Sequence, residues 1–205
     1  MKITAIKKQK KRNRFNIFID EKFAFALSEI ALPQLNLYVN KEIGENDLSE
    51  IKAKIFFFEA EKVLINYLKY RQRTEKEIVS KLRQKGYQSG IISQLIEKYQ
   101  KLGYINDEDF AESYLLDLIS HHPQGKYLLI SKLRQKGISK EVIDELIFKH
   151  ISDDIEIEMA DRLLTQQRNR FAKYDTKERH EKALAYLQRK GFSYYIAKKS
   201  VDKFV

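Results

Sequence analysis

Apolar residues along this chain change their period once. In residues 14–19, Phe15, Ile17 and Ile19 alternate with Asn16 and Phe18. That is the two-residue repeat of a strand with one face turned inward. A second short alternation, Phe23-Ala24-Phe25, follows Asp20-Glu21-Lys22, and residues 3–7 supply a third candidate strand. The pattern predicts a β-hairpin, although its turn lacks the glycine that tight hairpin turns favour. Ser28 is placed to cap a short helix that stops or bends near Pro33. From about Asp47 the spacing becomes helical, through Leu48, Ile51, Ile55, Phe58, Val63 and Tyr67, and no strand pattern returns before Val205.

The helical part repeats itself. Lys81-Leu82-Arg83-Gln84-Lys85-Gly86 recurs unchanged as Lys132-Leu133-Arg134-Gln135-Lys136-Gly137, and a weaker copy ends in Arg189-Lys190-Gly191. Counted from each glycine, five offsets are apolar in all three copies. They are Val79, Ile130 and Leu184 seven before; Leu82, Leu133 and Leu187 four before; Tyr87, Ile138 and Phe192 one after; Ile91, Val142 and Ile196 five after; and Ile96, Ile147 and Val201 ten after. The residues seven and four before the glycine share one helix face. The glycine suits a left-handed helix end, and the apolar residue after it packs back on the last turn. Ser89, Ser139 and Ser193 are placed to open the next helix. Thr74 with Glu77, and Asp175 with Glu178, resemble capping boxes. A further helix precedes each pair, over residues 50–71, 107–121 and 153–171.

These readings predict a mainly α chain: tandem three-helix repeats forming an elongated curved array, with a small N-terminal region containing a β-hairpin. The expected division is residues 1–49 for the basic arm, hairpin and short helix, then three-helix repeats over 50–104, 105–152 and 153–205.

Composition narrows the function. No cysteine is present, which excludes disulfides and thiolate metal sites and fits a reducing cytosol. Apolar bursts such as Ile55-Phe56-Phe57-Phe58 are far too short to span a bilayer. The net charge of +10 is uneven: residues 1–14 hold seven basic residues and no acidic one. A polyanionic partner fits such an arm, and a solvated edge that blocks strand pairing fits it equally. The other basic residues collect on the helix before each glycine and around Arg71-Gln72-Arg73. The candidate contacts are therefore Lys8, Lys10, Lys11, Arg12 and Arg14 in the arm; Arg71 and Arg73; and Arg83, Lys85, Arg134, Lys136, Arg189 and Lys190 in the three copies. The helices after the glycines mix charges, which favours contact with phosphates or an acidic surface over reading of bases.

The search for catalysis finds little. His121, His122, His150 and His180 form no metal-ligand spacing, and Gly125-Lys126 lacks the rest of a phosphate-binding loop. The acidic run Asp107-Glu108-Asp109 lacks the glycine and distal glutamate of a calcium loop and suits the positive end of a helix. Twelve tyrosines and twelve phenylalanines are mostly at core spacings, with Tyr70, Tyr99 and Tyr127 the candidates for exposure.

The order and spacing of several segments resemble one family. Leu68–Ile78 with Lys81-Leu82 and Lys85-Gly86-Tyr87 is similar to the signature of RecX regulatory proteins. So are Leu102-Gly103-Tyr104-Ile105-Asn106-Asp107 with Phe110-Ala111, and Gly125, Leu129, Leu133 and Lys136-Gly137-Ile138. The resemblance covers nearly the whole chain. It implies a non-enzymatic, cytoplasmic regulator that binds the RecA filament on single-stranded DNA and suppresses its ATPase, recombinase and co-protease activities. No cofactor, metal or membrane is expected, and a monomer is. The alternative is a DNA-binding regulator acting through helix-turn-helix-like units and the basic arm, with direct nucleic-acid contact.

Overall fold

The computed structural model describes residues 1–10, 13–29 and 31–205. Three strands, β1 (Ile3–Lys8), β2 (Arg14–Ile19) and β3 (Lys22–Ser28), form an antiparallel sheet in that order. The hairpin forms without glycine. Asp20 and Glu21 both take positive φ, 45° and 67°, as a two-residue primed turn requires. Three bonds from the start of β1 hold them there. The Lys2 amide donates to Asp20 Oδ1 at 2.8 Å, the Asp20 amide to the Lys2 carbonyl at 2.9 Å, and the Glu21 amide to Thr4 Oγ1 at 2.9 Å.

The rest is helical: α1 (Ala31–Gln34), α2 (Glu45–Leu68), α3 (Glu75–Gln84), α4 (Ser89–Lys101), α5 (Asp107–His121), α6 (Lys126–Lys136), α7 (Lys140–His150), α8 (Asp153–Gln166), α9 (Arg168–Phe171), α10 (Thr176–Arg189) and α11 (Tyr194–Phe204). A mainly helical chain behind a small N-terminal sheet is thus what the sequence predicts. Three local expectations fail. Ser28 ends β3 instead of capping α1. Gln88, not Ser89, precedes the first turn of α4, and its side chain makes no capping bond. The helix expected over 153–171 breaks at Gln167, whose amide reaches back to the Leu163 and Leu164 carbonyls.

The repeated glycines behave as their neighbours predict. Gly86, Gly137 and Gly191 have φ of 86°, 92° and 87°. In each copy the glycine amide and the one after it donate back to the last turn: Gly86 to Arg83 O and Tyr87 to Leu82 O, Gly137 to Arg134 O and Ile138 to Leu133 O, Gly191 to Gln188 O and Phe192 to Leu187 O. This paired closure satisfies carbonyls that a helix end leaves open. The leucine four before the glycine is fully buried in all three copies, and Ile96, Ile147 and Val201 are buried with it.

The chain divides into two compact units, residues 1–72 with 78–104, and residues 73–77 with 105–205. In the first, Ile3, Ile17 and Leu27 from the sheet pack with Ile51 and Ile55 of α2. In the second, one core runs through Leu115, Leu129, Leu133, Ile143, Leu164, Leu187 and Val201, so α5–α11 share a single interior. The Gly125 amide donates to Lys190 O at 2.9 Å and the Tyr127 amide to Gly191 O at 3.2 Å. A Cβ on Gly125 would lie 2.1 Å from the Gly191 backbone. Among the described residues no helix is long and apolar enough to cross a membrane.

Candidate partner-binding surface

The basic residues separate by what they already touch. Within the first unit Lys8 is exposed, 3.2 Å from Glu29 and 5.8 Å from the Phe15 ring centre. Lys10 is exposed in the turn after β1, and Lys11 and Arg12 lie outside the described residues. Arg14 is half-buried: its Nη2 donates to Glu59 Oε1 at 2.6 Å and to the Ala26 carbonyl at 3.1 Å. It fastens β2 and β3 to α2. Arg71 donates from Nη1 to the Gln72 carbonyl at 2.8 Å.

The two identical hexapeptides differ in context. In the first, Arg83 and Lys85 are both exposed, and neither makes an ion pair among the described residues. In the second, Arg134 is likewise exposed, but Lys136 is half-buried. Its Nζ lies 2.6 Å from Glu77 Oε1, with Tyr114 and Phe110 ring centres at 5.6 and 5.9 Å. The Lys136 carbonyl accepts from the Thr74 hydroxyl at 2.8 Å, and that hydroxyl accepts from the Glu77 amide at 3.3 Å. Thr74 is fully buried and serves two helix ends at once. Lys136 thus has a structural role that Lys85 lacks. The half-buried Arg73 groups with the second unit alongside Thr74 and Glu77.

The third copy is offset. Arg83 and Arg134 stand three before the glycine, Arg189 two before, which turns its side chain by about 100° around the helix axis. Arg189 is exposed, and Lys190 is half-buried with Nζ 5.7 Å from the Tyr186 ring centre. What the hexapeptide pattern missed is the charge around this copy. Residues 105–166 carry seven basic and thirteen acidic side chains, whereas residues 167–205 carry eleven basic and four acidic ones. A sliding count of charge would have found this; a single count over both segments hides it because they cancel.

Other candidates take structural places. Asp107, Glu108 and Asp109 form the first turn of α5, capped by Asn106. Tyr70 and Tyr127 are exposed, whereas Tyr99 is buried and donates to Glu61 Oε1 at 3.2 Å. Burial and the Glu61 carboxylate push its phenol up to about 12. His150 and His180 each face one carboxylate, Glu112 at 2.8 Å and Asp202 at 2.9 Å. Among the described residues no three acidic or histidine side chains are grouped to hold a metal ion.

The chain is similar to known proteins along nearly its whole length. Residues 1–44 match the model of the regulatory protein RecX N-terminal domain, residues 62–98 the first RecX three-helix domain, and residues 106–147 the second. The chain is 34% identical over 199 residues to the regulatory protein RecX of Listeria innocua, covering 97% of this chain and 74% of that one. It is 33% identical over 202 residues to the regulatory protein RecX of Bacillus velezensis, covering 98% and 76%. A crystal structure of regulatory protein RecX superposes with a TM-score of 0.76 at 29% identity, over 98% of both chains. That of RecX from Lactobacillus salivarius gives 0.66 at 28% identity, over 73% of this chain and 96% of the other. With all three domain types in order and relatives aligned along nearly its whole length, the chain belongs to the RecX family of regulatory proteins.

Proposed function

We propose that this chain binds the RecA filament on single-stranded DNA and lowers its ATPase, recombinase and co-protease activities, acting by contact and without chemistry of its own. The observation that carries this reading is its membership of the RecX family along nearly its whole length. The surface supports it. Arg83, Lys85, Arg134 and Arg189 are exposed and lack ion-pair partners among the described residues, so their charge is available to an acidic surface or to phosphates. The helix after Gly137 carries Glu141, Asp144 and Glu145, which suits packing and repels a phosphate backbone. The three repeats delimited above are the proposed contact modules.

The direct test is RecA ATP turnover on single-stranded DNA with rising amounts of this protein, beside a sedimentation assay for filament binding. Turnover is expected to fall in step with binding. Turnover that holds steady while the protein cosediments with the filament would overturn the proposal.

A further inference from the structure

The sheet has two faces, and only one is consumed by the core. Ile17, Leu27 and Ile3 are buried against α2, with Ile6 and Phe25 packed beside them. Residues paired across strands lie on the same face. The opposite face therefore carries Ala5 and Lys7 from β1, Asn16 and Phe18 from β2, and Phe23 and Ala26 from β3, as the pairings Ala5–Phe18, Lys7–Asn16, Phe18–Phe23 and Asn16–Ala26 require. Neither Phe18 nor Phe23 belongs to the hydrophobic core.

These two rings meet edge to face, 6.1 Å apart at 76°. Lys7 Nζ lies 5.1 Å from the Phe18 ring centre. Phe23 is 59% exposed. Next to the rings the face turns polar: Gln9 Nε2 donates to Asn16 Oδ1 at 2.6 Å. Ala5 and Ala26 leave the rest of the face low. β1 then runs on to Lys10, exposed in the turn that follows it.

We infer that this open sheet face is a stacking platform for single-stranded nucleic acid. Phe23 takes a base face, with Phe18 backing it, and Lys7 on the same face holds a phosphate. An exposed ring backed by a half-buried one, on a sheet face that also carries Lys7, matches the chemistry of an unpaired strand, which offers free base faces and a backbone charge together. A duplex hides its base faces in the stack and cannot use the rings. An acidic protein surface would use the lysines but leaves the aromatic pair unexplained.

The test is anisotropy of labelled oligo(dT) and of a duplex of equal length, titrated with the full chain and no recombinase. Phe23→Ala is expected to keep the parent's urea midpoint, because the side chain lies outside the core. It should weaken oligo(dT) binding by about tenfold, the scale of one lost base stack, and leave duplex binding unchanged. Phe23→Tyr should bind as the parent does. Lys7→Ala should lower the slope of log affinity against log salt by about one. Parent-like oligo(dT) affinity in Phe23→Ala, or full affinity in Phe23→Leu, would overturn the inference. So would a Phe23→Ala variant that loses RecA inhibition but keeps oligo(dT) affinity, since the face would then dock protein. The anisotropy titrations contain no recombinase, so their failure and that of the filament proposal are told apart.

Discussion

At the scale of single residues, two identical glycines illustrate how context changes a cost. Gly86 and Gly137 both sit in the left-handed region, where a side chain costs about 1–2 kcal/mol. A Cβ on Gly86 would meet nothing within 4 Å, but one on Gly137 would lie 2.7 Å from Lys76 Cβ. Gly86→Ala should therefore lose only the backbone cost, about 1–2 kcal/mol, and Gly137→Ala distinctly more. Urea midpoints check this; equal losses would contradict the steric assignment. Glu156 gives a prediction with pH. It is only 5% exposed on α8, and its Oε1 accepts from the Lys126 amide at 2.9 Å. Burial pushes its carboxyl above the ordinary range. The folded chain thus holds that proton more tightly than the unfolded chain. The contribution to stability is greatest below the unfolded value and is lost as pH rises through the folded one. Glu156→Gln keeps an acceptor for the Lys126 amide and has no charge to bury. Its Tm at pH 7 should equal or exceed the parent's, with the difference closing toward about pH 4. A variant less stable than the parent at pH 7 but not at pH 4 would refute this.

At the scale of elements, the helix ends were legible because they are local. Leucine, glycine and the apolar residue after it close three helices through the same two backbone bonds. Ser139, Ser193 and Asp175 cap as their types suggest. What failed depended on partners far along the chain. The hairpin turn needed no glycine because β1 supplies bonds to Asp20 and Glu21. Gly125 gave no signal of a packing role, only an incomplete phosphate-loop pattern and a place in the family resemblance, yet its backbone meets that of Gly191. Gly125→Ala should separate the start of α6 from the end of α10, breaking the Gly125–Lys190 and Tyr127–Gly191 bonds at about 2–4 kcal/mol in total. Hydrogen exchange at the amides of residue 125 and Tyr127, which donate these bonds, and the urea midpoint both read this, and an unchanged midpoint would show that the junction yields freely.

At the scale of the whole molecule, charge is the quantity that matters to a partner, and it is segregated. Positive charge gathers in residues 1–14 and 167–205, negative charge in residues 105–166. The triple variant Arg83→Ala, Arg134→Ala, Arg189→Ala removes three exposed cations without breaking an ion pair among the described residues. It should keep the parent's Tm within a few degrees, weaken filament binding by about tenfold or more, and reduce its salt dependence. Lys136→Ala is the contrast: it removes the half-buried 2.6 Å ion pair with Glu77 and should lower stability by about 1–3 kcal/mol. Full inhibition by the triple variant would move the binding surface away from these arginines. The sequence by itself determined the period of each element, the three-fold recurrence of the helix closure and the family, because apolar spacing and cap chemistry act within a few residues. It could not separate Lys85 from Lys136, or Gly86 from Gly137, since the six residues around them are the same. Only the tertiary structure decided those, by bringing Thr74, Lys76 and Glu77 onto the second copy and nothing comparable onto the glycine of the first.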